Sequence, residues 1–329
     1  MIIELAQAVL SGQDISKEEA IALIHTPASD TMLLLAMADK IRQHFHDSHV
    51  DACAIVNARS GKCPENCRFC AQSAHHRTGV EEYAFLDADA LLHAAQKAKE
   101  AGAVRFSIVT SGRNTSNPNE FNQILQALAR IKKETGLEIC CSLGLISYEQ
   151  ASALKKIGVT RFHSNIETAP SYFPSICTTH TFADKLEVLA NVKKAGIPIC
   201  SGGILGLGET PEQRVEMAFT LKELGVRSVP LNILNPIPGT PLEKQAPLSP
   251  LEILRTFAVF RFILPTAVIR TAGGREKNLR SLQALALNGG LNGIMIGGYL
   301  TTGGQDPKED RQMLSDLERP IASVPLPNV

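Results

Sequence analysis

From about residue 52 onward, short runs of β-branched residues alternate with longer segments in which hydrophobic and polar residues follow the period of a helix. Short β-branched runs lie near residues 52–58, 104–110, 138–144, 160–166, 197–203, 228–234, 266–271 and 292–297. Amphipathic helical patterns such as 87–102 lie between them, and several end in Gly, which easily adopts the left-handed conformation that ends a helix. Eight strand–helix units predict an α/β fold, a (β/α)8 barrel of the TIM type. An open doubly wound sheet is the alternative.

The two ends of the chain depart from this alternation. Residues 1–45 are predicted to form an N-terminal helical extension, in which Ser16 and Glu19 have the spacing of a capping box before an apolar run. Residues 46–315 are assigned to the barrel. Residues 316–329 are expected to form a loosely ordered C-terminal tail that contains Pro320, Pro325 and Pro327.

Side chains alternate between the two faces of a strand, so each predicted strand presents one set to the barrel interior. Apolar members of the runs are assigned to the outer face, and the same test directs His163 inward. A barrel filled only for packing would carry Val, Ile and Leu inside. Because burying polar groups is costly unless they are paired or bind a ligand, the interior is predicted to be a site. The inward set is Cys53, Ser107, Cys140, Asn165, Glu167, Cys200, Asn232 and Arg270.

Composition narrows the classes of function. The 329 residues include 33 basic and 33 acidic residues without a run of Lys or Arg, which argues against nucleic-acid or anionic-membrane partners. The sequence shows neither an apolar stretch of membrane-spanning length nor the basic region of a signal peptide. Eight cysteines in such a chain predict metal ligands in a reducing cytoplasm rather than disulfides.

Three of these cysteines, Cys63, Cys67 and Cys70, lie within eight residues. They can bind three irons of a [4Fe–4S] cluster and leave the fourth iron open to a second molecule. A zinc site is the alternative, but zinc favours four ligands, usually with pairs of C-x2-C. We therefore interpret the triplet as a cluster site, and His75 and His76 after it as solvated or outside the ligand set.

The spacing of the triplet is similar to the signature of the radical S-adenosylmethionine superfamily. Segments 199–210, 228–232, 238–242 and 269–276, with Thr301 and Thr302, resemble the biotin synthase family, and the resemblance covers nearly the whole chain after residue 50. It implies radical insertion of sulfur into dethiobiotin, with the sulfur drawn from an auxiliary iron–sulfur cluster in the barrel. It also implies an electron donor such as flavodoxin or ferredoxin, and a homodimer.

The resemblance implies which residues bind S-adenosylmethionine. Ser111 and Gly112 match a loop that meets the methionine amino group, and Lys185 matches an Arg near the methionine carboxylate. Ile204 lies in a GxIxGxxE element that backs the adenine. Lys185 has the positive charge of that Arg but cannot form two parallel hydrogen bonds to a carboxylate.

The resemblance also implies substrate contacts. Asn165 and Glu167 match positions that contact the ribose and the substrate, and Asn232 matches a position that hydrogen-bonds the ureido ring of dethiobiotin. Glu167 replaces an Asp of the family pattern and is one methylene longer. For Asn232, a buried amide that only satisfies its own hydrogen bonds is the alternative.

A second set of ligands departs from the aerobic-type pattern of the family. Cys140, Cys200 and Arg270 match ligands of a [2Fe–2S] cluster, whereas Ser107 replaces the third cysteine and Cys53 supplies a thiol on the first strand. Cys53, Cys140 and Cys200 can leave one iron of a larger cluster open to an extra sulfide. This is similar to the anaerobe-associated type with a [4Fe–5S] cluster, and a [2Fe–2S] cluster with rearranged ligands is the alternative.

Several interpretations remain open at this point. Arg270 is placed in the catalytic set with the triplet, and pairing with a carboxylate such as Glu167 is its alternative. Cys141 and Cys177 are interpreted as buried or incidental thiols. The competing functions are another enzyme of the same superfamily, such as a hydrogenase maturase or a methylornithine-forming enzyme, and a non-catalytic iron–sulfur protein.

Overall fold

Nine parallel strand segments form one closed barrel in the computed structural model, which describes residues 1–324. β5 and β6 are two parts of one barrel strand, since both pair with β7. β1 pairs with both β2 and β9, which closes the ring. The predicted (β/α)8 barrel is therefore confirmed, and the open sheet is excluded. The segments are β1 (Asp51–Arg59), β2 (Arg105–Thr110), β3 (Glu138–Ser142), β4 (Arg161–His163), β5 (Ile199–Cys200), β6 (Gly203–Leu205), β7 (Ser228–Ile233), β8 (Val268–Thr271) and β9 (Gly293–Met295).

Helices surround this barrel and begin at polar capping residues. Ser147, Thr181 and Thr210 each form a capping box with the residue three positions later, which satisfies backbone amides at the helix start. The structure describes α1 (Ile2–Leu10), α2 (Lys17–Ile24), α3 (Thr31–Phe45), α4 (Ala88–Glu100), α5 (Pro118–Thr135), α6 (Tyr148–Lys156), α7 (Phe182–Lys194), α8 (Pro211–Glu223), α9 (Pro250–Ile263), α10 (Arg275–Leu279), α11 (Gln283–Leu287) and α12 (Pro307–Asp316).

The N-terminal helices pack on the outside of the barrel. α3 contacts α1 and α9, and α2 contacts α8 and α9. The capping box predicted at the start of α2 is confirmed, because the Ser16 amide donates to Glu19 Oε2 at 2.7 Å and the Glu19 amide to Ser16 Oγ at 3.1 Å. Within residues 1–324 no single helix has both the length and the apolar composition needed to cross a bilayer. Residues 17–24 and 28–45 meet those criteria only as a pair bent by 99°.

The described part of the expected C-terminal tail packs against the start of β1. Arg319 is 4% exposed and donates hydrogen bonds to three backbone carbonyl oxygens. The Val50 amide donates to the Pro320 carbonyl at 2.9 Å. The expectation of loose order is therefore wrong for residues 316–321, because this segment satisfies buried hydrogen-bonding groups. Residues 325–329, with Pro325 and Pro327, lie outside the described residues.

The hydrophobic core lies between the outer face of the strands and the helices. Phe106, Ile139, Cys141 and Phe162 point outward and are at most 1% exposed within one apolar cluster. The outward direction predicted for Cys141 is confirmed. Because the apolar residues of the strands are used for this outer shell, the barrel interior is free to carry polar groups.

Candidate active site

A cavity of about 340 Å³ occupies the barrel interior and reaches the loops after the strands. Cys53 and Arg270 line its deep part, and Cys70, in the loop after β1, lines it near the strand ends. The cavity therefore connects the two predicted groups of thiols. The predicted site residues along its wall are Cys53, Cys70, Asn165, Glu167, Lys185, Ile204, Asn232 and Arg270.

The loop that carries Cys63, Cys67 and Cys70 is fixed by its own backbone. The Cys63 amide donates to the Gln72 carbonyl at 3.0 Å, the Ala74 amide to the Cys63 carbonyl at 2.7 Å, and the Cys70 amide to the Cys67 carbonyl at 3.0 Å. Burial raises the pKa of Cys63, and it raises the pKa of Cys70 to about 11. Iron in a cluster brings its own positive charge and stabilises thiolates against burial, so these three partly buried thiols fit a cluster.

The two histidines after this loop support its backbone. His75 Nε2 lies 2.9 Å from the Pro64 carbonyl, and His76 Nδ1 lies 2.9 Å from the Cys70 carbonyl. These contacts agree with the interpretation that His75 and His76 stand outside the ligand set.

Ser111 and Gly112 lie in a groove beside the same loop and do not line the central cavity. Ser111 Oγ donates to the Gly61 carbonyl at 2.7 Å, and the Ser111 carbonyl accepts from Arg59 Nε at 2.9 Å. The Gly112 backbone hydrogen-bonds the sulfur of Cys63, which favours the thiolate. Their contacts with the methionine amino group stay predictions.

Two amides brace the upper wall of the cavity. Asn165 Oδ1 accepts from the Gly202 amide at 3.2 Å. Asn232 Oδ1 accepts from the Gly273 amide at 2.9 Å, and its Nδ2 donates to the Gly203 carbonyl at 3.3 Å. An amide has two donors and two acceptor lone pairs, so Asn232 keeps one of each for a ligand.

Glu167 and Lys185 face the cavity near these amides. Burial raises the pKa of Glu167, although Lys185 and Asn165 oppose the shift. Glu167 has a φ of +69°, and its carbonyl accepts from the Ile204 amide at 2.8 Å. This hydrogen bond joins the segment after β4 to β6, and it holds both Glu167 and Ile204 against the cavity.

Beneath the cavity, buried arginines surround one carboxylate. Asp51 is 0% exposed, 3.2 Å from Arg105 Nε and 3.1 Å from Arg270 Nη1. Arg161 is also fully buried and interacts electrostatically with Asp51 and Arg270. Arg270 therefore pairs with a carboxylate of the barrel interior, as its alternative interpretation predicts, but this carboxylate is Asp51 and not Glu167.

Arg270 also connects this charged group to the second set of thiols. It donates to Ser228 Oγ at 3.2 Å, and Ser228 donates to Cys200 Sγ at 3.2 Å. Its positive charge acts on Cys53, Cys200 and Cys140, which are at most 2% exposed. The structure therefore brings Cys53, Cys140 and Cys200 together around one guanidinium, as inward parity predicts.

The three thiols differ in their surroundings. Burial raises the pKa of Cys53 to about 11, although Arg270 opposes the shift. Burial also disfavours the Cys140 thiolate, but a hydrogen bond with His163 and the guanidinium of Arg161 hold the pKa of Cys140 below its usual range. His163 Nε2 is buried without a hydrogen-bond partner and faces the cavity. Of Cys53 and Cys140, Cys140 is therefore the one more readily converted to a thiolate.

Sequence reasoning missed two features of this site. Asp51, Arg105 and Arg161 each lie two residues before an inward position, so the same parity would have directed them inward. Cys177, interpreted as incidental, has its Sγ 3.7 Å from Cys67 Sγ. No spacing in the sequence predicts that contact, because a loop after β4 creates it.

Two family models match the chain. The radical SAM superfamily model matches residues 58–221, and the biotin and thiamin synthesis associated domain matches residues 230–319. The first match contains the cysteine triplet, and the second contains Asn232 and Arg270.

Curated relatives match nearly the whole chain. A biotin synthase of Geobacter sulfurreducens is 50% identical over 313 residues, 95% of each chain. A biotin synthase of Desulforudis audaxviator is 50% identical over 317 residues, 96% of each chain. One of Carboxydothermus hydrogenoformans is 49% identical and covers 96% of this chain and 98% of the relative.

Solved structures share the fold at lower identity. A methylornithine synthase superposes with a TM-score of 0.85 at 18% identity over 97% of each chain. A maturase of the [FeFe]-hydrogenase superposes with a TM-score of 0.81 at 17% identity, over 96% of this chain and 74% of that one. At this identity the likeness concerns the fold alone.

Proposed function

The chain belongs to the biotin synthase family, and we propose that its central cavity holds dethiobiotin between two iron–sulfur clusters. The enzyme is a radical S-adenosylmethionine sulfurtransferase that forms biotin from dethiobiotin. The observation that carries the proposed arrangement is the cavity itself. It has Cys70 of the triplet near its open end and Cys53 in its deep part.

Cys63, Cys67 and Cys70 would hold the first cluster. When bound, this [4Fe–4S] cluster and S-adenosylmethionine supply the radical that removes hydrogen atoms from the substrate. Lys185 would offset the negative charge of the methionine carboxylate. Glu167 would accept hydrogen bonds from the ribose.

Asn232 and Asn165 would orient dethiobiotin. Their braced amides keep free donors and acceptors for the ureido ring, and their backbone partners prevent them from rotating away. Hydrogen abstraction requires the reacting atoms to be held within a few ångströms of each other, so this rigidity is useful. Ile55, Val109 and Met295 also line the cavity and provide apolar surface for the aliphatic chain.

Cys53, Cys140 and Cys200 would hold the auxiliary cluster that supplies sulfur. The guanidinium of Arg270 acts on all three thiols, and Asp51 is its acidic partner at 3.1 Å. A cation beside the thiols stabilises the thiolates that bind iron. Three buried thiols, with Cys53 on β1 and Ser107 on β2, match the ligand set that the resemblance implies for the anaerobe-associated type, and they support its [4Fe–5S] cluster.

The reaction requires an electron donor, and we propose a small redox protein such as flavodoxin or ferredoxin. A homodimer and a cytoplasmic location complete the proposal. The eight cysteines are all free, as is typical of proteins in reducing compartments.

One anaerobic assay tests the proposal. The reconstituted enzyme is incubated with dethiobiotin, S-adenosylmethionine and a reductant, and biotin, 5′-deoxyadenosine, iron and sulfide are measured. We expect biotin, with about four irons beyond the first cluster for a cubane or about two for a [2Fe–2S] cluster. Formation of 5′-deoxyadenosine without biotin, with the iron of one cluster, would contradict the two-cluster arrangement.

A further inference from the structure

A fourth thiol lies against the loop of the first cluster. Cys177 follows β4 in the chain, and its Sγ is 3.7 Å from Cys67 Sγ. The side chain is 4% exposed and packs in a small apolar cluster with Phe173 and Leu207. Cys177 is thus held in place beside a ligand sulfur by packing, and solvent does not separate the two sulfur atoms.

In the structure Cys67 is a thiol and donates a hydrogen bond to Cys177 Sγ, and the direction of this bond depends on the state of Cys67. A cysteine binds iron as the thiolate, which carries no proton. When Cys67 ligates iron it can only accept a hydrogen bond. The donor in the loaded enzyme must then be the thiol of Cys177.

The neighbouring histidine leaves the thiol proton available. His180 Nδ1 is 2.6 Å from Glu65 Oε2 and 3.2 Å from Cys177 Sγ. Glu65 is also paired with Arg113 at 2.9 Å, which keeps it a carboxylate. Nδ1 donates its hydrogen across the shorter contact to Glu65, and a nitrogen that carries a hydrogen cannot accept one from Cys177.

Two oxygen atoms compete with Cys67 for the thiol proton. Asn66 Oδ1 and Thr179 Oγ1 each lie 3.5 Å from Cys177 Sγ. Asn66 Oδ1 already accepts from the amides of Thr178 at 2.9 Å and Thr179 at 3.3 Å. Thr179 Oγ1 accepts from the Asn66 amide at 3.0 Å and donates to Glu65. The thiolate of Cys67 is the acceptor with charge and free lone pairs, and charged acceptors form the stronger bonds.

We propose that Cys177 is a positioning residue for the radical-generating cluster, and that its thiol donates a hydrogen bond to Cys67 that raises the reduction potential of the cluster. Reduction adds one electron from the electron donor and increases the negative charge carried by the ligand sulfurs. A hydrogen bond to one of these sulfurs stabilises the reduced state more than the oxidised state. Cys177 would therefore ease the delivery of the electron that starts each reaction.

The test is a potentiometric titration of the loaded enzyme followed by electron paramagnetic resonance. The signal of the first cluster is identified by its change on addition of S-adenosylmethionine. Wild type, Cys177→Ala and Cys177→Ser are compared, with Cys141→Ala as the control for loss of a buried thiol. We expect Cys177→Ala to lower the ratio of reduced to oxidised cluster about tenfold at a fixed potential, as for one lost hydrogen bond. That ratio corresponds to about 59 mV for a one-electron couple.

Cys177→Ser keeps a donor and should restore most of the potential, while Cys141→Ala should titrate like wild type. Equal potentials for Cys177→Ala, Cys141→Ala and wild type, at equal iron content, would overturn the proposal and assign the proton to Asn66 or Thr179. Loss of the first cluster's iron in Cys177→Ala would also overturn it, since Cys177 would then be a ligand. The auxiliary cluster does not enter these outcomes, so the proposal can fail while the proposed function stands.

Discussion

Replacing Asp51 by Asn tests the charge balance beneath the cavity. The amide has nearly the shape of the carboxylate but carries no negative charge. In the structure Asp51 is fully buried and lies 3.1–3.2 Å from the guanidinium groups of Arg270 and Arg105. The substitution therefore removes the carboxylate that pairs with Arg270 and keeps the shape of the side chain.

The magnitude depends on whether the auxiliary cluster is present. In the cluster-free protein, removal of one partner from a buried ion pair costs about 3–5 kcal/mol of the free energy of unfolding. In the loaded enzyme, the cluster thiolates beside Arg270 offset part of the uncompensated charge. The loss should then fall below about 2 kcal/mol, comparable to one or two hydrogen bonds.

The assay is anaerobic urea unfolding of the cluster-free and loaded forms. Asp47→Asn is the matched control, because the Asp47 side chain is 60% exposed and its loss should cost no more than about 0.5 kcal/mol. Acid unfolding adds a second readout. Burial disfavours the Asp51 carboxylate, but Arg270 and Arg105 hold its pKa below the usual range. Its contribution is therefore present above its unfolded-state pKa, about 3.9, and is lost as the pH falls through the lower folded-state value. Asp51→Asn should lack this component.

Two results would refute the reasoning. If Asp51→Asn unfolds like Asp47→Asn in the cluster-free protein, the carboxylate does not compensate the buried arginines. If the loss is the same with and without clusters, the thiolates do not offset this charge.

The remaining predictions concern the two thiol sets and the substrate. Cys67→Ala, combined with Cys177→Ala so that the thiol 3.7 Å away cannot replace the lost ligand, should abolish 5′-deoxyadenosine formation; a wild-type yield would contradict the cluster assignment. Asn232→Ala should form 5′-deoxyadenosine with little biotin, and an unchanged yield of biotin per radical would reduce Asn232 to a structural brace. Cys53→Ser should still cleave S-adenosylmethionine but lose biotin formation and up to one cluster of iron, whereas Cys141→Ser should match wild type. Loss of biotin only in Cys141→Ser would require a different ligand set.

The barrel and the direction of its inward side chains could be predicted from the sequence. The reason is that both depend on short-range periodicity. Cys53 and Ile55 lie two positions apart, as do Cys140 and Ser142, so a single assignment of parity fixes a whole strand. The three inward thiols and Arg270 consequently meet in the structure as expected.

Contacts that depend on loop paths could not be predicted in this way. Cys177 approaches Cys67 because the segment after β4 folds back over the cluster loop, and the sequence gives no periodic signal for that path. The role of Asp51 was missed for a different reason. Its position satisfies inward parity, but the run that predicts the first strand begins at residue 52, so Asp51 lies one residue before the predicted strand.

The barrel closes where β1 pairs with β9, and this pairing includes Cys53, one of the three thiols proposed to hold the auxiliary cluster. Cys53 on β1 is the register partner of Met295 on β9, so the chain returns to this cysteine only near its end. The loop with Cys63, Cys67 and Cys70 forms backbone bonds within itself and with the segment after β4, where the Arg68 amide donates to the Ile176 carbonyl at 2.9 Å, so it needs the chain only up to about residue 180. A chain emerges from the ribosome with its N-terminus first. The loop with Cys63, Cys67 and Cys70 can therefore form before the last strand is made, whereas the barrel interior around Cys53 is enclosed only after β9 pairs with β1. With the proposed ligand sets, the two clusters would be inserted at different stages of folding, and insertion at Cys53, Cys140 and Cys200 would follow or accompany closure of the barrel.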